Sequence, residues 1–213
     1  MTAFRRLTGY FGAFLGCLSL GLIAAPVAIE FTQFCDYPHS IVGQLCRGKV
    51  PQEVPEETWG NVGAVAYQTA AQIMANNNSV AQELTEEQKY YLRYHFGDLV
   101  DQVEVVYNAK LMEDWVAASL RLDFGHSNAQ VYGNRIYIKD SHKPDDFHQL
   151  VLLAHELVHV QQYQELGGLE QFGYHYFQEY KKANQVYQKN RFEQEAFEFE
   201  AEFAAGLRVE MEY

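Results

Sequence analysis

His155, Glu156 and His159 form a His-Glu-x-x-His string, two imidazoles and a carboxylate at the spacing a zinc-activated water requires. On a helix of about 3.6 residues per turn, positions i and i+4 share a face, so both imidazoles can hold one divalent ion. Glu156, about 100° round the same helix, reaches a water on that ion. Spacing alone is weak support. With eight His and twenty Glu in 213 residues, about three per cent of shuffled chains would contain such a string, so its surroundings must supply the specificity.

Those surroundings are favourable. Leu150, Val151, Ala154, Leu157 and Val158 fall on one stripe of a predicted helix from Asp146 to Leu166, which packs that stripe on a strand region and leaves His155 and His159 on the flank. Asp145-Asp146 after Pro144 marks its start and Gly167-Gly168 its stop. Upstream, Trp59 to Ala75 carries apolar residues at helical spacing, and Thr85 with Gln88 gives a capping-box signal for a helix ending near Phe96-Gly97. Alternation predicts strands at Val103 to Tyr107 and Leu120 to Phe124. A hairpin from Ala129 to Lys139 turns at Gly133-Asn134, with Ile136 and Ile138 on one face and Tyr137 on the other. Downstream, Glu170 to Tyr187 and Asn190 to Glu212 read as helices, the second rich in glutamate.

The net charge is −12, and no Lys/Arg cluster alternates with aromatics, which excludes a nucleic-acid partner. Arg5 and Arg6 precede an uncharged run from Leu7 to Ile29 that reads as a signal peptide or a membrane anchor. Either reading puts the protein outside the cytoplasm, whether periplasmic, extracellular or anchored through residues 7–29. Cys35 and Cys46 follow, and a disulfide between them fits export, the alternative being two unpaired buried thiols. The chain therefore divides into a leader at 1–29, a cysteine-containing lead-in at 30–58 and one domain at 59–213.

Catalytic zinc usually takes three protein ligands and keeps one position open. No third His follows closely, since Gln162 and Glu165 hold the nearby positions, and His175 would need the chain to fold back. His155-Glu156-Leu157-Val158-His159 followed by Asn190-Arg191-Phe192-Glu193-Gln194-Glu195-Ala196 resembles the gluzincins, zinc metallopeptidases whose third ligand is a Glu on a second helix. More narrowly, the hairpin from Ala129 to Ile138, Leu152 to Glu156 and Phe192 to Phe197 are similar to small bacterial zincin-like domains of unassigned function, over residues 84–205. The resemblance implies an α+β, zincin-like fold: a small, mostly antiparallel sheet packed on the His-Glu-x-x-His helix, then a helical subdomain carrying the third ligand. It also implies a ligand three residues before an Ala, which selects Glu193, with Ala196 letting two helices approach. Glu195 and Glu198 remain alternatives, because Glu198-Phe199-Glu200-Ala201-Glu202 repeats the pattern. Many gluzincins keep an Asp four residues after the ligand to orient a His, and here that position is Phe197.

The function that follows is zinc-dependent hydrolysis of a peptide or protein substrate by an endopeptidase, with Zn2+ on His155, His159 and Glu193 and with Glu156 as general base. Tyr163, His175, Tyr176 and Tyr180 are the candidates to steady the oxyanion. The strand from Arg135 to Lys139 would hold an extended peptide if it is the sheet edge. The alternative is a non-catalytic zincin-like binding or structural module of the cell envelope.

Overall fold

The computed structural model describes residues 49–78, 80–112 and 128–211, together with Gln44. The leader, Cys35 and Cys46, and the strand expected at Leu120 to Phe124 lie outside the described residues. Among the described residues, no helix is long and apolar enough to cross a membrane. The elements in order are α1 (Glu56–Asn77), β1 (Gln82–Glu83), α2 (Glu86–Phe96), β2 (Glu104–Val106), β3 (Ala129–Tyr132), β4 (Arg135–Ile138), α3 (Phe147–Glu165), α4 (Leu169–Lys182) and α5 (Arg191–Met211). The class is α+β, as the sequence predicts.

Local chemistry sets most of these boundaries. Thr85 accepts from the Gln88 amide while the Gln88 side chain accepts from the Thr85 amide, a complete capping box on α2. Asp146 caps α3 by accepting from the Gln149 amide at 2.8 Å. Gly167 and Gly168, at φ 87° and 117°, stop α3, and the Gly168 amide donates back to the Tyr163 carbonyl. Helix α4 ends at Lys182, short of the expected Tyr187. Asn184 and Gln185 turn the chain through positive φ there, and the Gln185 side chain accepts from the Val50 amide at 2.8 Å.

The sheet order is β1-β2-β4-β3, antiparallel except for the parallel pair β2 and β4. It is a mixed sheet, mostly antiparallel as expected, since two of its three strand pairs, β1 with β2 and β3 with β4, are antiparallel. The hairpin enters with β4 beside β2, where Val105 registers with Ile136. That makes β4 an internal strand and leaves β3 and β1 as the edges, so the condition for strand addition at Arg135 to Lys139 is not met. Ile136, Ile138 and Val105 pack with Leu153, Ala154 and Leu157 of α3 in the main core. Tyr137 and Val106 meet Met74 and Leu111 on the opposite face, so alternation along β4 feeds two cores.

Helices α1 and α4 cross backbone to backbone. A Cβ at Gly63 would stand 2.2 Å from the Gly173 carbonyl oxygen, and one at Gly173 2.6 Å from that of Gly63. The Lys181 ammonium clamps the start of this pair by donating to the carbonyls of Pro51, Gln52 and Val54. The close crossing brings Tyr67 of α1 against Phe172 and Tyr176, with ring centroids at 5.3 and 5.5 Å.

Two outcomes follow. Gly63→Ala forces the crossing apart and destabilises the fold by about 1 to 3 kcal/mol in chemical denaturation, the range for overpacking a core. The second concerns Asp101, which receives both guanidinium nitrogens of Arg93 at 2.6 and 2.9 Å and lies 3.2 Å from the Lys89 ammonium. Arg93 first, then Lys89, holds its carboxyl down at about 2. A carboxyl depressed below its unfolded value of about 3.9 contributes stability that is complete above that value and is lost as pH falls through the folded one. Asp101→Asn therefore lowers Tm by a constant amount above about pH 5, and the gap closes as pH falls below about 4.

Candidate metal centre

Helix α3 carries His155 and His159 on the flank that faces α5, and Ala196, fully buried, lets the two helices approach. One turn before Ala196, Glu193 points its Oε2 at both imidazoles, 3.7 Å from His155 Nε2 and 3.5 Å from His159 Nε2. The three atoms lie within 4.8 Å of one another, and all three side chains are buried. These separations are too long for hydrogen bonds, and Oε2 has no hydrogen-bond partner. The other oxygen, Oε1, accepts from the Tyr176 hydroxyl at 2.7 Å.

The outer atoms of the imidazoles decide which nitrogens face inward. His155 Nδ1 lies 2.9 Å from Glu200 Oε2, an acceptor only, so Nδ1 carries the hydrogen of the neutral ring and Nε2 keeps its lone pair. His159 Nδ1 lies 2.8 Å from Gln162 Oε1. The Gln162 amide nitrogen donates to the Phe192 carbonyl at 3.1 Å and to Glu195 Oε2 at 3.0 Å, which fixes its oxygen towards His159. Two imidazole lone pairs and an orphaned carboxylate oxygen thus converge on one point. This His2Glu set fits a divalent cation of the zinc type.

Electrostatics lead to the same place. Burial acts against charge on His155, but Glu193 and Glu200 outweigh it and hold the imidazolium up to about 10. Burial likewise opposes charge on Glu193, and His159, followed by His155, keeps its carboxyl well below the usual carboxylate range. The centre therefore holds positive charge, and protons and a metal ion compete for the same lone pairs. Glu156, buried beside the histidines, has its carboxyl pushed up by burial, with His155 and His159 acting the other way.

The glutamates separate cleanly by role. Glu193 meets the histidines, Glu195 supports Gln162 and pairs with Arg191 at 3.6 Å, and Glu198 is exposed. At the position of the missing Asp, the Phe197 ring packs on His155 at 4.9 Å, and Glu200, one turn further along α5, supplies the carboxylate instead. Of the expected oxyanion donors, Tyr176 holds Glu193, Tyr163 donates to the Val131 carbonyl at 2.8 Å, His175 packs on Tyr174, and Tyr180 is buried in the core. Sequence spacing missed Tyr67, Tyr132 and Tyr187. The phenol of each is pushed up by burial first, then by neighbouring charges that include Glu193 for Tyr67 and Tyr187 and Glu156 for Tyr132 and Tyr187. Gln162, three residues after His159, was legible in principle as a helix neighbour of that ligand.

A family model described as the eCIS core domain matches residues 83–167, well under half of the chain. The matched segment contains His155, Glu156, His159 and Gln162, and it ends before Glu193 and Glu200. No curated protein and no solved structure matches the chain.

Titration of the metal-free protein with zinc against a chromogenic chelator ranks these residues. Glu193→Ala abolishes stoichiometric binding, Glu198→Ala leaves it intact, and Glu200→Gln weakens it by about 10- to 100-fold, the usual cost of removing a partner that orients a ligand. Tight binding by Glu193→Ala together with loss in Glu198→Ala would reassign the ligand.

Proposed function

We propose that this chain is a zinc-dependent metalloendopeptidase, exported or anchored by its N-terminal segment, that cleaves a peptide or protein substrate. The observation that carries this reading is the orphaned Glu193 Oε2 facing His155 Nε2 and His159 Nε2, with the Glu156 carboxylate buried beside them. Bound by those three residues, zinc supplies Lewis acidity that brings a water from a pKa of about 15.7 towards about 7.

The remaining work belongs to side chains of this chain. Glu156 takes the proton of the attacking water and returns it to the leaving amine, a role suited to a carboxyl whose proton affinity burial has raised. Glu200 and Gln162 keep each imidazole in the tautomer that ligates. Tyr163 and Tyr176 commit their hydroxyl protons to Val131 and Glu193; Tyr187, half-buried with its hydroxyl also drawn to Glu193, is the tyrosine assigned to the oxyanion, which it serves by turning from that carboxylate once Glu193 holds the metal. An extended substrate adds along β3, the edge strand in contact with α3, in place of β4.

A second reading, a non-catalytic module of a cell-envelope assembly, draws on two observations. The family model is named for the extracellular contractile injection system, and His155, Glu156, His159 and Glu193 are all buried.

One comparison separates the two readings. Zinc-loaded protein is assayed on an unfolded casein-type substrate beside Glu156→Gln, which retains the three ligands. The peptidase reading expects the variant to lose about 100- to 10,000-fold in rate, the contribution of a general base, while it still holds one zinc. Wild-type protein with stoichiometric zinc and no more activity than Glu156→Gln would favour the non-catalytic module.

A further inference from the structure

Between α2 and the C-terminal half of α5 lies an open groove of about 400 Å3, a volume typical of ligand sites. Tyr90, Tyr94 and His95 line one wall, and Glu202, Phe203 and Gly206 the other. Tyr94 is 90% exposed and Tyr90 69%, whereas the His95 ring packs edge-on against Phe199 and Phe203 at 5.3 and 5.5 Å and steadies the floor.

Gly206 is the informative wall residue. Glycine weakens a helix interior more than any residue except proline, and Gly63 and Gly173 earn their places by close backbone contact. A Cβ at Gly206 meets nothing within 4 Å, so neither packing nor a positive φ calls for glycine there. What the absent side chain leaves is room in the groove.

Charge identifies the occupant. Glu198 and Glu202 stand exposed at i and i+4 on α5, a repulsive pairing. Among the described residues neither forms an ion pair, while Glu195 on the same helix pairs with Arg191 and Glu200 with His155. Exposed tyrosine faces beside an unneutralised carboxylate make a site for a cation, since the ring face attracts a guanidinium or ammonium and the carboxylate supplies its counter-charge. We propose that this groove binds a cationic peptide segment of a partner protein, with an Arg or Lys side chain against Tyr90 and Tyr94 and paired with Glu202. None of the metal-centre residues lines the groove, so binding is independent of metal and of turnover.

The probe is a fluorescein-labelled peptide, Gly-Arg-Pro-Leu-Arg-Gly amide, titrated with the full chain at about 0.15 M salt, where distant charges are screened. Its anisotropy is compared with that of the same peptide carrying Gln for both Arg. Saturable binding is expected for the Arg peptide, weaker by at least about tenfold for the Gln peptide, and unchanged after chelation of metal. Gly206→Trp fills the groove with every charge kept and lowers affinity at least about tenfold, which separates the groove from general attraction to an acidic protein. Tyr94→Ala, at a position too exposed to matter for folding, lowers it about threefold or more and decides the matter alone if Gly206→Trp does not fold. Absence of binding, equal binding of the Gln peptide, or affinity indifferent to these substitutions overturns the proposal.

Discussion

A carboxylate placed in the dry interior of a protein must meet positive charge, because leaving it unpaired costs several kcal/mol even after relaxation. Glu193, only 3% exposed, is that carboxylate. One of its oxygens is satisfied by Tyr176, and the other faces two imidazoles at distances that suit a shared cation better than direct hydrogen bonds. The way α5 docks on α3 follows from this constraint. Phe192 and Ala196 bury the apolar side of the first turns of α5, and Gln162 reaches across to the Phe192 carbonyl and to Glu195, so the two helices are tied by packing and by hydrogen bonds around the same point.

The two imidazoles are supported differently. A carboxylate backs His155 and a neutral amide backs His159, so His155 is the more basic imidazole of the two. The supporting cast comes from far apart in the chain. Tyr176 and Tyr187 arrive with α4 and the turn that follows it, and Tyr67 arrives with α1, held by the Gly63 and Gly173 crossing. The segment that matches the eCIS core domain supplies two of the three residues that could hold a metal, and the third comes from a helix beyond it. A metal at this centre would thus join that segment to the C-terminal helix.

Features written within one element were legible in the sequence. The capping box of Thr85 and Gln88, the Asp146 cap, the turn at Gly133-Asn134 and the i, i+4 histidines each depend on a few adjacent residues, and local backbone geometry realises them directly. Choosing Glu193 over Glu195 and Glu198 took a resemblance, because all three lie on one acidic helix and only docking on α3 distinguishes them. What stayed hidden depends on contacts between distant segments. Phe197 argued against a supporting carboxylate, yet Glu200 reaches His155 from one turn further along. The hairpin is plain in the sequence, but nothing local says which of its strands pairs with β2, so whether β4 is an edge stays open there; the structure makes it internal and puts β3 at the edge.

X-ray absorption at the zinc edge of the purified, zinc-loaded protein tests the central claim most directly, since it reports the donor atoms themselves. Two imidazole nitrogens with carboxylate and water oxygens, all at about 2.0 to 2.2 Å, are predicted for His155, His159, Glu193 and one open position. Sulfur scattering at about 2.3 Å, or a first shell without imidazole, would contradict it.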